Sequence, residues 1–188
     1  TKTSSMLPLG EDLGRIPYKV EQVLKTLGIP SLKFMRWQKN KQGAFIPLNH
    51  YEPISLTTVT THDAEPLALF WQKHPQEARA WAEFLRIKYT AKLSTANRLA
   101  ILKAAHASSS LFHINPWQEY LDLRAVYAPK DLARERLNTP GQILPNNWTF
   151  RYKASLEELL QDTKLQNMIR EILPAKSENA VWPAAANF

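Results

Sequence analysis

The chain of 188 residues has no cysteine, which excludes disulfides and thiolate metal sites. Glycine is scarce, at five residues, and no Gly-rich phosphate-cradling loop occurs. No apolar run approaches the ~20 residues that span a bilayer. The N-terminus shows no charged flank followed by an apolar core, so no secretory signal is visible. Internal repeats and low-complexity tracts are also missing. His50, His74, His106 and His113 show no paired metal-ligand spacing. No metal, no cofactor and no membrane partner is therefore expected, and a cysteine-free chain of this kind fits the cytoplasm.

What is present is an ordinary globular composition, 44% hydrophobic and 22% charged, on a chain long enough for one sizeable domain. Lys and Arg outnumber Asp and Glu by 24 to 17, a net charge of +7. Such a balance raises a basic nucleic-acid-binding domain as an alternative. The positive residues are spread singly between apolar ones, as at Lys25, Lys33, Arg86 and Lys92. That is the pattern of a solvated surface, and no nucleic-acid partner is expected.

The hydrophobic pattern alternates short strands with helices. Ser4 to Leu9 reads as a strand end closed by Gly10, followed by a Glu11-Asp12-Leu13-Gly14 turn. Pro17 suits the first turn of a helix, Val20, Val23, Leu24 and Leu27 recur at helical spacing, and Gly28 caps it. Leu32 to Trp37, Ile54 to Thr61 and Ser110 to Ile114 are further strand candidates. A helical stretch begins at Leu67, restarts at Pro75 and carries apolar positions to Tyr89, with Trp71, Trp81 and Phe84 as core. Helices follow at Thr95 to Ala105 and Trp117 to Leu121. Ala128 to Trp148 is irregular, and Ser155-Leu-Glu-Glu158 is a capping box opening a last helical region towards Leu173. Residues 1–173 thus form the domain, and 174–188 are expected to be a loosely ordered tail.

Alternating strands and helices argue for parallel strands joined by crossovers. Glu11 and the His62-Asp63 pair both fall where a strand ends and a loop begins, the catalytic face of a β/α barrel. About four strand candidates are too few for a closed eight-stranded barrel. The pattern leaves open a small open α/β sheet or part of a larger barrel. On residue type alone, Glu11-Asp12 also reads as an acidic turn facing the following helix dipole, and His62-Asp63 as a tethered histidine.

A set of motifs narrows these alternatives. Leu7-Pro-Leu-Gly-Glu-Asp-Leu-Gly14 resembles the segment bearing the acid/base glutamate of the 4-alpha-glucanotransferases, the amylomaltase or disproportionating-enzyme family (glycoside hydrolase family 77). In the family's order follow Leu27 to Phe34, Thr61-His-Asp63, Leu111 to Leu121, Arg136-Leu-Asn-Thr-Pro-Gly141 and Asn146-Asn-Trp-Thr-Phe-Arg151. The resemblance spans about residues 7–173. One departure stands out: the family commonly continues His-Asp with a polar run such as Asn-Asp-Thr, where this chain has Ala64-Glu65-Pro66.

The resemblance implies the C-terminal part of a (β/α)8 TIM barrel, helix-rich, with about four parallel strands. It implies a retaining enzyme that moves alpha-1,4-glucan segments between maltooligosaccharides or to glucose. Such chemistry needs a carboxylate nucleophile and a second carboxyl group acting as acid and then base. By resemblance Glu11 is the acid/base, Asp63 the transition-state stabiliser, and His62 a further sugar ligand. Asn147, Trp148 and Arg36 are candidate substrate-binding residues, while Asp12 and Asn138 are read as fixing loops. The family's nucleophile is an aspartate on an earlier strand, which would lie upstream of Thr1. The chain is therefore expected to be inactive alone and to pair with the missing N-terminal part of the barrel, or with itself through an exposed sheet edge. The alternative reading is a non-catalytic glucan-binding module.

Overall fold

The β-branched run near Ile54 lies at the centre of a three-stranded parallel sheet in the computed structural model, which describes residues 6–14 and 16–173. Strand β1 (Ser31–Phe34) pairs with β2 (Ser55–Thr58) from Ser31↔Ser55 to Phe34↔Thr58. Strand β2 pairs with β3 (Phe112–His113) through Leu56↔Phe112 and Thr57↔His113. Gly10 adds a single parallel bridge to Ser31. The order Gly10, β1, β2, β3 follows the chain without reversal, as in one wall of a β/α barrel rather than a doubly wound sheet.

The sequence led to four strands; among the described residues there are three, with an isolated parallel bridge at Gly10 and an antiparallel one between Lys39 and Phe45. Each strand is shorter than its apolar run. After Thr58 the ladder stops because the Asn115 side chain takes the Val59 N–H at 2.8 Å. After Phe34 the backbone tightens into a 3-10 turn, Met35–Trp37. Met6 to Leu9 form no strand, and Ser4 and Ser5 lie outside the described residues, as does the 174–188 tail.

The helices follow their signals closely. Helix α1 (Tyr18–Thr26) starts after Pro17, and Gly28 takes the left-handed φ of 64° just past its end. Helices α2 (Leu67–Lys73), α3 (Pro75–Phe84), α4 (Thr95–His106) and α5 (Trp117–Leu121) then appear in order. Helix α3 ends before Tyr89 because Arg86 adopts φ 57° in a Schellman-type stop, with Ile87 N–H on the Ala82 carbonyl and Arg86 N–H on that of Glu83. Tyr89 instead folds back to stack on Trp71, ring centroids 5.6 Å apart.

The last helical region is two helices, α6 (Leu156–Gln161) and α7 (Thr163–Ile172), split at Asp162. That carboxylate caps α7 through Leu165 N–H and accepts from Arg124 and Tyr127. The Ser155/Glu158 capping box opens α6. Ser155→Ala is expected to cost about 1 kcal/mol, read as a lower denaturant midpoint with an unchanged slope.

Trp71, Trp81, Leu67, Ile101, Leu102 and Leu165 form the fully buried core, on which Phe84 packs partly buried. The core ties α2, α3, α4 and α7 together and so supports the sheet. Inside it lies an ionic cluster. Arg98 of α4 donates to Glu119 of α5 and, at 2.9 Å, to Asp122, while Glu119 also accepts the first N–H of α2 from Leu67. Among the described residues no helix is long and apolar enough to cross a membrane, and no group of three metal-ligating side chains occurs.

Candidate functional site

Because the strands are parallel, the segments leaving Gly10, β2 and β3 emerge on one side of the sheet. They frame a cleft of about 440 Å³, whose walls include Glu11, Thr60, His62, Asn115, Leu137 and Tyr152. Its floor is apolar, with Leu32, Leu56 and Ile114 facing it. Glu11 is exposed at the mouth. Its neighbour Asp12 accepts the Leu32 N–H at 2.6 Å, which fixes the Glu11 turn against β1.

His62 and Asp63 sit in the tight turn that follows β2, closed by Ala64 N–H on the Thr61 carbonyl. His62 Nε2 lies 3.4 Å from Asp63 Oδ1. The irregular segment near residue 138 packs against this turn. Asn138 Nδ2 donates to Asp63 Oδ1 at 2.7 Å, and Asn138 N–H donates to the His62 carbonyl. Arg136 donates to the Asp63 carbonyl at 3.3 Å and to that of Asn138 at 2.9 Å, and lies 3.7 Å from the Glu65 carboxylate.

Glu65, the departure noted in the sequence, is the centre of a charged knot. Its carboxylate accepts from Lys73 at 3.1 Å and contacts His74 Nε2 at 2.9 Å. Partial burial pushes the Glu65 carboxyl up, but the hydrogen bonds and charges of Lys73 and His74 outweigh it and hold the group below its ordinary value.

Trp148 stands beside the cleft, its ring centroid 5.3 Å from that of His62. Its φ is 61°, an unfavourable region for a bulky residue, and its side chain is 65% exposed. Its backbone N–H donates to the Leu137 carbonyl at 2.7 Å, which pins the loop despite that strain.

Arg36 and Asn147 are not among the residues that line the cleft. Arg36 is buried, not in the cleft wall. Its guanidinium lies between the Phe34 and Phe70 rings and donates to the Glu65 carbonyl and Thr60 hydroxyl. Burial lowers its pKa to about 10, partly offset by Glu119 and Glu65. The apolar slot between two rings draws the planar cation inward, where it braces the loop carrying His62. Asn147 spends its amide within its own loop, accepting from Thr139 N–H and donating to the Gln142 carbonyl.

A model of the family described as 4-alpha-glucanotransferase matches residues 1–157. The chain belongs to the 4-alpha-glucanotransferase family. It is 44% identical over 173 residues to a 4-alpha-glucanotransferase of Chlamydia muridarum, covering 91% of this chain and 33% of that protein. A Chlamydia pneumoniae 4-alpha-glucanotransferase is 45% identical over 172 residues, covering 90% and 33%. The chain therefore spans about a third of the length of the curated relatives it matches. The amylomaltase from Streptococcus agalactiae, solved in complex with acarbose, superposes with a TM-score of 0.64 at 23% identity, covering 87% of this chain and 30% of that one. That likeness is one of fold.

Among chains of the 4-alpha-glucanotransferase family, this one reveals contacts that its motifs alone did not. Nothing in the local pattern marks Asn138 as reaching the Asp63 carboxylate, or Arg136 and Glu65 as standing behind it. A signal was available in the position of Asn138 within a motif shared with the family, but its partner, 75 residues away, was not.

Proposed function

We propose that this chain supplies the acid/base and transition-state-stabilising carboxylates of a retaining 4-alpha-glucanotransferase acting on alpha-1,4-glucans. The observation that carries this reading is the cleft. Glu11 and His62 line one groove at the ends of parallel strands, Asp63 adjoins it, and Trp148 is held against His62. Such a groove suits a sugar chain, with an aromatic face for the pyranose and polar groups for its hydroxyls. Acarbose binding by the Streptococcus agalactiae amylomaltase supports a sugar ligand here.

In the proposed reaction Glu11 gives its proton to the glycosidic oxygen as a carboxylate attacks the anomeric carbon and the C–O bond breaks. The released glucan leaves, and the remaining segment is held as a glycosyl ester. Glu11, now a carboxylate, takes the proton of an acceptor sugar hydroxyl whose oxygen displaces the enzyme carboxylate. Asp63 holds hydroxyls beside the reacting carbon. The nucleophile comes from polypeptide outside residues 1–188, completing a (β/α)8 barrel of which this chain is part. General acids of this kind work from a desolvated setting, and covering the exposed Glu11 would provide one.

The test is incubation with maltotriose. The purified chain is expected to leave it unchanged, and the appearance of glucose and maltopentaose would refute the division of the site. Trp148→Ala is expected to weaken maltoheptaose binding roughly tenfold with little change in thermal midpoint. A lowered thermal midpoint without loss of binding would assign Trp148 a packing role instead.

A further inference from the structure

We infer that Asn138 is a positioning residue for Asp63, held in place by Arg136 and Glu65; this rests on the glucan reading above. Asp63 lies in a surface turn, where a short carboxylate would ordinarily rotate freely about its side-chain bonds. Here Asn138 Nδ2 occupies Oδ1 at 2.7 Å, and no other described residue bonds Oδ2. The carboxylate is thereby oriented, with one oxygen committed to the protein and one left for a sugar hydroxyl.

The clamp is built in depth. Asn138 N–H and Arg136 Nη2 hold the consecutive carbonyls of His62 and Asp63, so the segment grips both the backbone and the side chain of the pair. Arg136 also donates through Nε to the Asn138 carbonyl, which fixes the residue that fixes Asp63. Behind it stands Glu65, shared by Arg136, Lys73 and His74. The Glu65 backbone carbonyl accepts from Arg36 and Thr60, so the base of the turn is locked as well. The Ala64-Glu65-Pro66 departure from the family pattern thus has an assignment. Its carboxylate faces the protein rather than the sugar, and it anchors the arginine of the clamp.

A preoriented carboxylate binds a sugar without first losing rotational freedom, so the Asn138 side chain acts on binding through the Asp63 carboxylate it holds. The experiment is a double-mutant cycle on the full chain, with maltoheptaose binding followed by NMR titration. Asp63→Asn and Asn138→Ala are each expected to weaken binding roughly tenfold, as for loss of a hydrogen bond to a charged group. The double variant is expected to bind no more weakly than Asp63→Asn alone. Losses that multiply instead, towards a hundredfold, would show that Asn138 acts independently of Asp63 and overturn the assignment. No effect of Asn138→Ala would do the same.

Glu65→Gln keeps the shape of the site and is the second variant. It is expected to weaken binding severalfold in the Asp63 background and not at all in Asp63→Asn. A loss that persists in Asp63→Asn would remove Glu65 from the clamp. If the parent chain binds no maltoheptaose, the glucan reading fails and this assignment falls with it. Binding by the parent with independent losses refutes the assignment alone.

Discussion

Replacing Arg98 with Met lowers the stability of the chain by about 4 kcal/mol and its thermal midpoint by roughly 10 °C. Arg98 is almost fully buried and is the cation that answers Glu119 and Asp122. Methionine roughly fills the space, so the cost comes from charge rather than from a cavity. Glu119 is fully buried, and its other oxygen holds the first N–H of α2. Losing its partner leaves a desolvated carboxylate at the junction of α2, α4 and α5. Chemical denaturation measures the effect directly. A loss below about 1 kcal/mol would mean that the cluster is solvated or that its protons redistribute at little cost.

The same cluster makes stability fall as pH rises from about 5 to above 8, and Glu135→Gln removes most of that fall. Burial, then repulsion from Asp122 and Glu119, pushes the Glu135 carboxyl up to about 8 from its ordinary 4.5. Burial likewise lifts Asp122, to about 6, against the pull of Arg98. Unfolded, Glu135 releases its proton near its ordinary value; folded, it keeps it until about pH 8. Across that window the native state binds more protons, so its stability declines with pH and the contribution is lost above 8.

Glutamine mimics the protonated acid at every pH. The variant is therefore expected to match the parent near pH 5 and exceed it near pH 9 by on the order of 2 kcal/mol, a moderated value because neighbouring Asp122 titrates with it. Parallel stability curves for the two proteins would contradict the proposed burial of this proton.

How far the sequence revealed this protein depends on the range of the interaction involved. Local signals were reliable: Pro17, Gly28, Pro75 and the Ser155/Glu158 box mark helix boundaries that the structure reproduces. Strand lengths were overestimated because their ends are set by distant side chains, as when Asn115 takes the Val59 N–H. The Arg86 stop of α3 was invisible because a non-glycine residue occupies the left-handed position.

The site divides in the same way. Its strand-end placement could be seen from Glu11 and His62, and both line the cleft. Arg36 has the residue type of a sugar ligand, yet two aromatic rings, one of them 34 positions away on α2, draw it inside. Asn138 reaches Asp63 across 75 residues, a pairing that no local pattern encodes.

The proposed division of one catalytic site between this chain and further polypeptide is tested by reconstitution. The chain is mixed with the N-terminal two-thirds of the Chlamydia muridarum relative, and maltotriose conversion is followed by product chromatography. Glucose and longer maltooligosaccharides are expected from the mixture, from neither part alone, and from no mixture containing Glu11→Gln. Conversion by the chain alone, or conversion that survives Glu11→Gln, would contradict the account.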